Sequence, residues 1–464
     1  MNMRGGFVRA GLVLLTATAF TVGCVAQTAG QLGGSVLSAD SVQRLLRARV
    51  TAGRAHGLII GVMTPNGGGY DVAAGDKRPG KAIDASTVFE IGSITKVFTG
   101  ILLADMVGRG DVRLDQPVAE LLPPNAKVPS RNGRVITLGD LSSQISGLPR
   151  LPDNLKPADP SNPYADYSVA QLYDFLGRYQ LPRDPGSQYE YSNLGVGLLG
   201  HALTLKAGKS YETLVRERIL APLGMKHSGI TLSPDMRAHM AEGHDPGGAV
   251  VPLWDLPTLA GAGALRSSLD DMMLFLAANR VPSKDALGRA ITLSHQPRFK
   301  VNNALSLGLN WHISNFRGDT LLWHNGGTAG FRTLIAMNPR TGAGAVLLGN
   351  SGQDNEDIVR HILIGTPLAT VVVRKEMKLA PETLAAYVGT YRFAPQFAIT
   401  ITLENGGLVA QATDQPKFPI FAEGPDRFFL KVVDAQLEFA REASGAVSSV
   451  TLVQGGRSVG RKIR

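Results

Sequence analysis

The chain has 464 residues, 44% of them hydrophobic and 18% charged. That is ordinary globular composition with ample apolar material for a core, and it excludes disorder as the main theme, because disordered chains are charge-rich and apolar-poor. At roughly 150 residues per domain the length allows about three units, and one large domain plus a small one fits equally well. Forty-seven Lys and Arg against 38 Asp and Glu leave a formal net charge of +9. Such an excess suits an anionic surface such as DNA, lipid or cell-wall polymer. No block of five or six consecutive basic residues occurs, however, which favours a basic but ordinary enzyme with no nucleic-acid partner.

A single cysteine, Cys24, excludes a disulfide framework and any multi-cysteine zinc site. It lies in residues 1–26, where Arg4 and Arg9 precede an apolar stretch from Ala10 to Val22 and then small residues. This pattern predicts a secretory signal, too short for a membrane span. Two readings of it stay open. Cleavage after Ala26 would use Cys24 and Ala26 as its small residues. Alternatively, Thr21-Val22-Gly23-Cys24 is a lipoprotein box with a lipid anchor on Cys24, although Thr21 stands where leucine is usual. Both readings predict export, to the periplasm, either free or anchored. No other segment of 18 apolar residues is present to span a bilayer.

Residues 27–37 read as a small-residue linker. His56 to Ala74 reads as a hairpin turning at Pro65-Asn66-Gly67-Gly68-Gly69. Ile94, Val97, Phe98, Ile101, Leu102 and Met106 recur at helical spacing until Gly108 and Gly110. Leu148 to Asp166 carries five prolines and no periodicity, which predicts a long surface loop of the kind that often shapes a binding site. Helices are expected at Leu194–Leu205, Tyr211–Leu220 and Leu269–Ala278, and strands at Thr320–Trp323, Thr333–Met337 and Ala343–Leu348. Strands at both ends with helices between predict one mixed α/β domain over residues 38–369. From Leu379 the texture changes to short strands, among them Phe397–Leu403, Leu408–Ala412, Phe428–Val433, Leu437–Arg441 and Val447–Val453. Residues 379–464 therefore read as a small all-β unit, barrel or sandwich.

Three short motifs stand in a fixed order. Ser93-Ile94-Thr95-Lys96 is S-x-x-K at a helix start; residues three apart share a helical face, so the Ser93 hydroxyl and Lys96 amine can touch. Serine is a weak nucleophile until a base takes its proton. A lysine buried at a helix N-terminus has its cation disfavoured by desolvation and the helix dipole, and its neutral amine can act as that base. Tyr191-Ser192-Asn193 is Y-x-N; in an extended segment its outer side chains point the same way and could present a phenol and an amide. His324-Asn325-Gly326 is H-x-G at a strand end, and Gly326 and Gly327 would let a substrate approach the backbone. Each motif alone has a bland reading: an exposed Ser–Lys pair, a core tyrosine with a helix cap, and a strand-to-turn junction.

Together they resemble the serine β-lactamase and penicillin-binding protein superfamily, in its branch of class C β-lactamases, D-Ala-D-Ala carboxypeptidases and related esterases. The flanks strengthen the likeness: Phe89-Glu90-Ile91-Gly92 before Ser93, Ser146-Gly147-Leu148-Pro149, Pro185-Gly186 before Tyr191, and Gly327-Thr328-Ala329-Gly330-Phe331. The tail around Tyr387-Val388-Gly389-Thr390-Tyr391 resembles a β-barrel appended to many such hydrolases. The resemblance implies an α+β fold, an antiparallel sheet flanked by helices with a helical subdomain, followed by the small barrel. It also implies site roles. Ser93 becomes acylated, Lys96 and Tyr191 share the proton traffic, Asn193 binds the substrate amide, and His324, Gly326 and Gly327 line the substrate site. The backbone N–H groups of Ser93 and Gly327 form the oxyanion hole. The implied substrates are β-lactams, D-alanyl peptides or small esters.

One departure stands out. Class C β-lactamases usually carry lysine where this chain has His324. With a reference pKa of about 6.5, a histidine is only partly charged at neutral pH. Arg332, eight residues on, is a candidate for the missing cation. The nine histidines show no H-E-x-x-H spacing, so neither metal nor cofactor is expected. The competing expectation is a non-catalytic module that binds cell-wall peptidoglycan or senses penicillin; a binding module has no need for Ser93, Lys96 and Tyr191 together.

Overall fold

The computed structural model describes residues 37–463, apart from 317, 370–373, 375, 414, 416, 432–434 and 455. The expected leader, its cleavage site, Cys24 and all but the last residue of the linker lie outside the described residues. Among the described residues no helix is long and apolar enough to cross a membrane.

The first part of the chain is built on a nine-stranded sheet. Its strands are β1 (Gly57–Met63), β2 (Gly69–Arg78), β3 (Lys81–Ala82), β4 (Phe299–Lys300), β5 (Leu305–Leu307), β6 (His312–Phe316), β7 (Asp319–Gly327), β8 (Arg332–Met337) and β9 (Gly344–Gly349). Their order is β4-β5-β6-β7-β8-β9-β1-β2-β3, and each neighbouring pair is antiparallel. The β1–β2 hairpin forms where Pro65-Asn66-Gly67 predicts it, with Val62 opposite Tyr70. Strand residues alternate between two apolar layers, as the two-residue period requires. Leu58, Ile60 and Val62 join Val42 and Leu46 of α1 (Ala39–Thr51). Ile59, Ile335, Val346 and Leu348 belong to the larger core on the other side. The sheet is thus covered by helices on both faces.

The larger core surrounds α2 (Thr95–Gly108), in which every residue from Thr95 to Met106 is buried. A helix apolar all round is one enclosed by protein. Phe98 stacks on Phe275 at 4.1 Å, joining α2 to α5 (Leu269–Arg280). Gly100 lies so close to the Leu309 carbonyl that a Cβ would come within 2.2 Å of it. Against α2 lie α4 (Asn193–Ala207) and α6 (Ala286–His295), and α3 (Val169–Arg178) adds Leu172, Phe175 and Leu176 to the same core. On the opposite face α7 (Asp357–Ile364) joins α1 through an ion pair between buried Arg49 and Asp357, at 2.5 Å. The single helix expected over Tyr211–Leu220 is instead an α-turn, Tyr211–Val215, that widens into a π-turn, Arg216–Leu220. Pro222 has no N–H to give the carbonyl of Arg218 and its ring crowds that carbonyl, so the helix opens. Leu148 to Asp166 contains neither helix nor strand, as its prolines predict.

The second part is a closed eight-stranded barrel, β10 (Gly389–Ala394), β11 (Phe397–Glu404), β12 (Gly407–Ala412), β13 (Lys417–Gly424), β14 (Arg427–Leu430), β15 (Ala435–Arg441), β16 (Val447–Val453) and β17 (Arg457–Lys462). Its core holds Tyr387, Tyr391, Ile401, Phe428, Phe439 and Val450. Five of these strands were expected. β13 escapes notice because Pro419 interrupts it, and β17 because half its residues are charged and it lacks alternation.

Candidate active site

Ser93 occupies a 3-10 turn, Gly92–Ile94, that feeds into α2. Two restraints fix this turn. The Ile91 N–H donates to Leu265 O, and the Ile91 carbonyl accepts from Thr333 Oγ1 of β8 at 3.0 Å. Gly92 has φ +49°, and a Cβ there would meet the Gly327 nitrogen at 2.7 Å. Only glycine suits both the left-handed backbone and that approach. The backbone carrying the nucleophile thus abuts the end of β7, beside the two N–H groups expected to form the oxyanion hole.

Lys96, one turn into α2, is completely buried. Its Nζ lies 2.9 Å from Ser93 Oγ and donates to the Ala262 carbonyl at 2.6 Å. Desolvation, with the nearby Arg150 cation, pulls its pKa well below the usual lysine value. Tyr191 lies alongside, with Lys96 Nζ 5.0 Å from its ring centre. Burial raises the phenol's pKa, so it stays protonated.

Ser192, not Asn193, is the N-cap of α4: its Oγ accepts from Gly195 N at 2.8 Å and donates to Pro149 O at 2.6 Å. Asn193 is the first helical residue. Its Nδ2 donates to Tyr164 Oη at 3.1 Å, while Oδ1 is buried without a partner. Tyr164 comes from the proline-rich loop, which therefore reaches this side of the site.

His324 is fully buried in β7. Its Nδ1 donates to Asn325 O at 2.6 Å, which leaves Nε2 as an acceptor, and that atom has no partner. Burial and the neighbouring His312 and Lys96 drive its pKa well down. The partial charge expected from its reference value is therefore absent at neutral pH. His312 of β6, whose ring lies 5.0 Å from that of His324, falls to about 4 through burial.

The glycines of the third motif do different things. A Cβ on Gly326 would lie 2.0 Å from Ile91 O and 2.3 Å from Thr333 Oγ1, so packing against protein dictates this glycine. Packing thus gives Gly326 a reason of its own, apart from any approach of substrate to the backbone. Gly327 faces the Arg332 guanidinium, at 3.1 Å from an added Cβ. Arg332 is itself tied to the Thr328 and Phe331 carbonyls, at 2.6 and 2.9 Å.

The geometry thus brings Ser93, Lys96, Tyr191, His324 and Gly327 together. Comparison with known proteins decides what the arrangement is. Residues 42–364 match the family model described as Beta-lactamase. The chain belongs to the beta-lactamase family. It shares the serine-hydrolase class of that family. Over 292 residues it is 32% identical to the D-alanyl-D-alanine-carboxypeptidase/endopeptidase AmpH of Escherichia coli (strain K12), covering 59% of this chain and 74% of the relative. It is 26% identical over 324 residues to a Beta-lactamase of Pseudomonas fluorescens, covering 63% and 86%, and 27% identical over 326 residues to Penicillin-binding protein 4 of Amycolatopsis lactamdurans, covering 63% and 81%. A solved class C beta-lactamase superposes with a TM-score of 0.62 at 22% identity, over 71% of this chain and 97% of that one, a likeness of fold. Residues 373–458, which span most of the barrel, match a domain of unknown function, DUF3471.

Several residues that hold this beta-lactamase-family site together carry no motif. Gln144, with φ +60°, accepts from the Ser192 N–H at 2.6 Å through Oε1 and reaches Asn310 Oδ1 at 3.4 Å. Buried Glu90 accepts from Trp254 N at 2.7 Å and faces Arg266, whose Nη2 donates to Trp254 O at 2.8 Å. His312 stacks on Trp323 at 4.6 Å. Glu90 stands in the flank before Ser93, whereas Gln144 among serines and His312 between apolar neighbours carry no distinctive sequence signal.

Proposed function

We propose that this protein is an exported serine acyl hydrolase that works through a Ser93 acyl-enzyme on β-lactams, D-alanyl peptides or small esters. The observation that carries the reading is the fully buried Lys96 amine 2.9 Å from Ser93 Oγ, its pKa well lowered by desolvation. One Lys96 N–H is held by the Ala262 carbonyl, and the lone pair of the neutral amine takes the Ser93 proton. Ser93 Oγ attacks the substrate carbonyl carbon. The backbone N–H groups of Ser93 and Gly327 receive the developing oxyanion, each worth about 3 kcal/mol. The bond to the leaving group breaks, and the proton held by Lys96 passes to it through the Tyr191 phenol. Water then hydrolyses the acyl ester and restores Ser93. In this reading Asn193 Oδ1 accepts from a substrate amide, which its being buried and unpaired supports. The printed names of the relatives support the range of substrates, and the leader-like residues 1–26 support export.

The test is steady-state turnover of a penicillin, a D-alanyl-D-alanine peptide and a short-chain ester by wild type and Ser93→Ala. The expected result is turnover of at least one of them, lost at least about a thousandfold in the variant. Retention on peptidoglycan without turnover of any of the three would favour the wall-binding module instead, and full activity in the variant would remove Ser93 from the mechanism.

A further inference from the structure

Most cations around Ser93 are already engaged by the protein. Lys96 is held by Ser93 and Ala262, Arg332 by two backbone carbonyls, and Arg266 by Glu90 and Trp254. Arg150 differs. It is exposed, and among the described residues its guanidinium has neither an ion pair nor a hydrogen bond. Yet it is not a stray surface arginine. Its carbonyl accepts from Asn193 N at 3.0 Å and Leu194 N at 3.3 Å, and the preceding Pro149 carbonyl accepts from Ser192 Oγ. This clamp pins residues 149–150 against the start of α4, directly after Tyr191. The guanidinium lies 5.1 Å from the Tyr191 ring centre. Its charge is felt by Lys96, Tyr164, Tyr189 and Tyr191. The flanking arginines of this region are paired instead, Arg178 with Asp153 and Arg183 with Glu190.

We propose that Arg150 is a specificity residue that binds a carboxylate carried by the acyl substrate, so that the enzyme selects anionic substrates through the proline-rich loop; this rests on the reading of Ser93 as nucleophile. A planar guanidinium with its donors unspent matches a carboxylate in two parallel hydrogen bonds. The need for such a group follows from the neighbouring strand. Buried His324 is neutral and offers the site no charge, and Arg332 spends its Nη1 on the Thr328 and Phe331 carbonyls.

The experiment compares phenyl acetate, 3-carboxyphenyl acetate and phenyl hydrogen succinate, which carry no carboxylate, one on the leaving group and one on the acyl group. kcat and KM are measured separately for wild type, Arg150→Ala, Arg150→Lys and Arg150→Glu on the plateau of the pH profile. Wild type is expected to prefer at least one carboxylate ester over the neutral one. Arg150→Ala should lower that preference about tenfold, through KM rather than kcat. Arg150→Lys should keep part of it, and Arg150→Glu should reverse it. Equal losses on charged and neutral esters, a loss confined to kcat, or a wild type without preference would overturn the proposal. Should Ser93→Ala retain turnover with the Arg150-dependent preference intact, the nucleophile is misassigned while the selectivity stands. Failure of all three esters, together with no penicillin adduct on Ser93, overturns both.

Discussion

Around Ser93 the protein encloses Lys96, Glu90, Arg266, His312 and His324, whereas the barrel encloses Tyr387, Tyr391, Phe428 and Phe439. The polar atoms in the two regions fare differently. Near Ser93, Asn193 Oδ1, His324 Nε2, His312 Nδ1 and Glu90 Oε2 are buried without a partner; among the described residues the barrel has no such atom. Its two buried tyrosines are paired, Tyr391 Oη to the Tyr387 carbonyl at 2.8 Å and Tyr387 Oη to Asp426 at 3.1 Å. An unpaired buried polar group costs roughly 1–3 kcal/mol. The contrast separates the barrel from the α/β part, which leaves such atoms beside a serine and a lysine 2.9 Å apart, in a space a substrate's polar groups would complete, and also away from them, at Arg49, Arg54, Asn355 and Thr366.

The sharpest way to break that contrast is Lys96→Met. It removes the base while filling a similar volume with apolar atoms. kcat/KM should fall by about 10²–10⁴, while thermal unfolding stays level or rises because a desolvated amine is gone. A drop in melting temperature with unchanged turnover would place Lys96 among structural residues. In the wild type the rate should climb with pH along a single limb set by Lys96, below the ordinary lysine value of 10.5. The sign follows from the neutral amine being the active form. His324 is pushed far below 6.5 and His312 to about 4, so neither should add an inflection between pH 6 and 7. An inflection there that His324→Gln abolishes would show that His324 carries charge.

In the barrel, Phe439→Ala removes a ring that contacts Tyr387, Tyr391 and Phe428. About 3–5 kcal/mol of stability should be lost in denaturant titrations, and acylation below the transition should change less than twofold, since no proposed site residue lies past Arg332. A matching loss of acylation would tie the barrel to the chemistry. Smaller again, Tyr391→Phe leaves the Tyr387 carbonyl without its partner and should cost about 1 kcal/mol; a neutral result in the same titration would mean that water replaces the hydroxyl.

Much of this was legible in the residues themselves. The β1–β2 hairpin is spelled out by Pro65-Asn66-Gly67-Gly68-Gly69, and α2 by its apolar spacing. The Ser93–Lys96 contact follows from one helical turn, so sequence spacing alone brings those atoms together. What stayed hidden depends on long-range placement. Gln144, Asn310 and His312 are ordinary polar residues until the fold sets them beside Ser192 and His324. Arg150 sits in a loop whose prolines announce irregularity but not its position over Tyr191. The reason for Gly326 lies in a carbonyl 235 residues upstream in the chain, that of Ile91, which no local pattern reveals. The π-turn at Arg216–Leu220 was local, but its cause is Pro222, just outside the segment read as helix.

The central claim is that Ser93 becomes acylated, and intact-mass spectrometry tests it most directly. Protein is mixed with a penicillin, a p-nitrophenyl ester and a fluorophosphonate in turn, with Ser93→Ala alongside, and any adduct is located by digestion. One adduct per chain on the peptide containing Ser93, absent from the variant, is the expected result. Its lifetime with penicillin then separates a β-lactamase from a carboxypeptidase-like enzyme. An unmodified wild type with all three reagents, or an adduct that survives in Ser93→Ala, would contradict the claim.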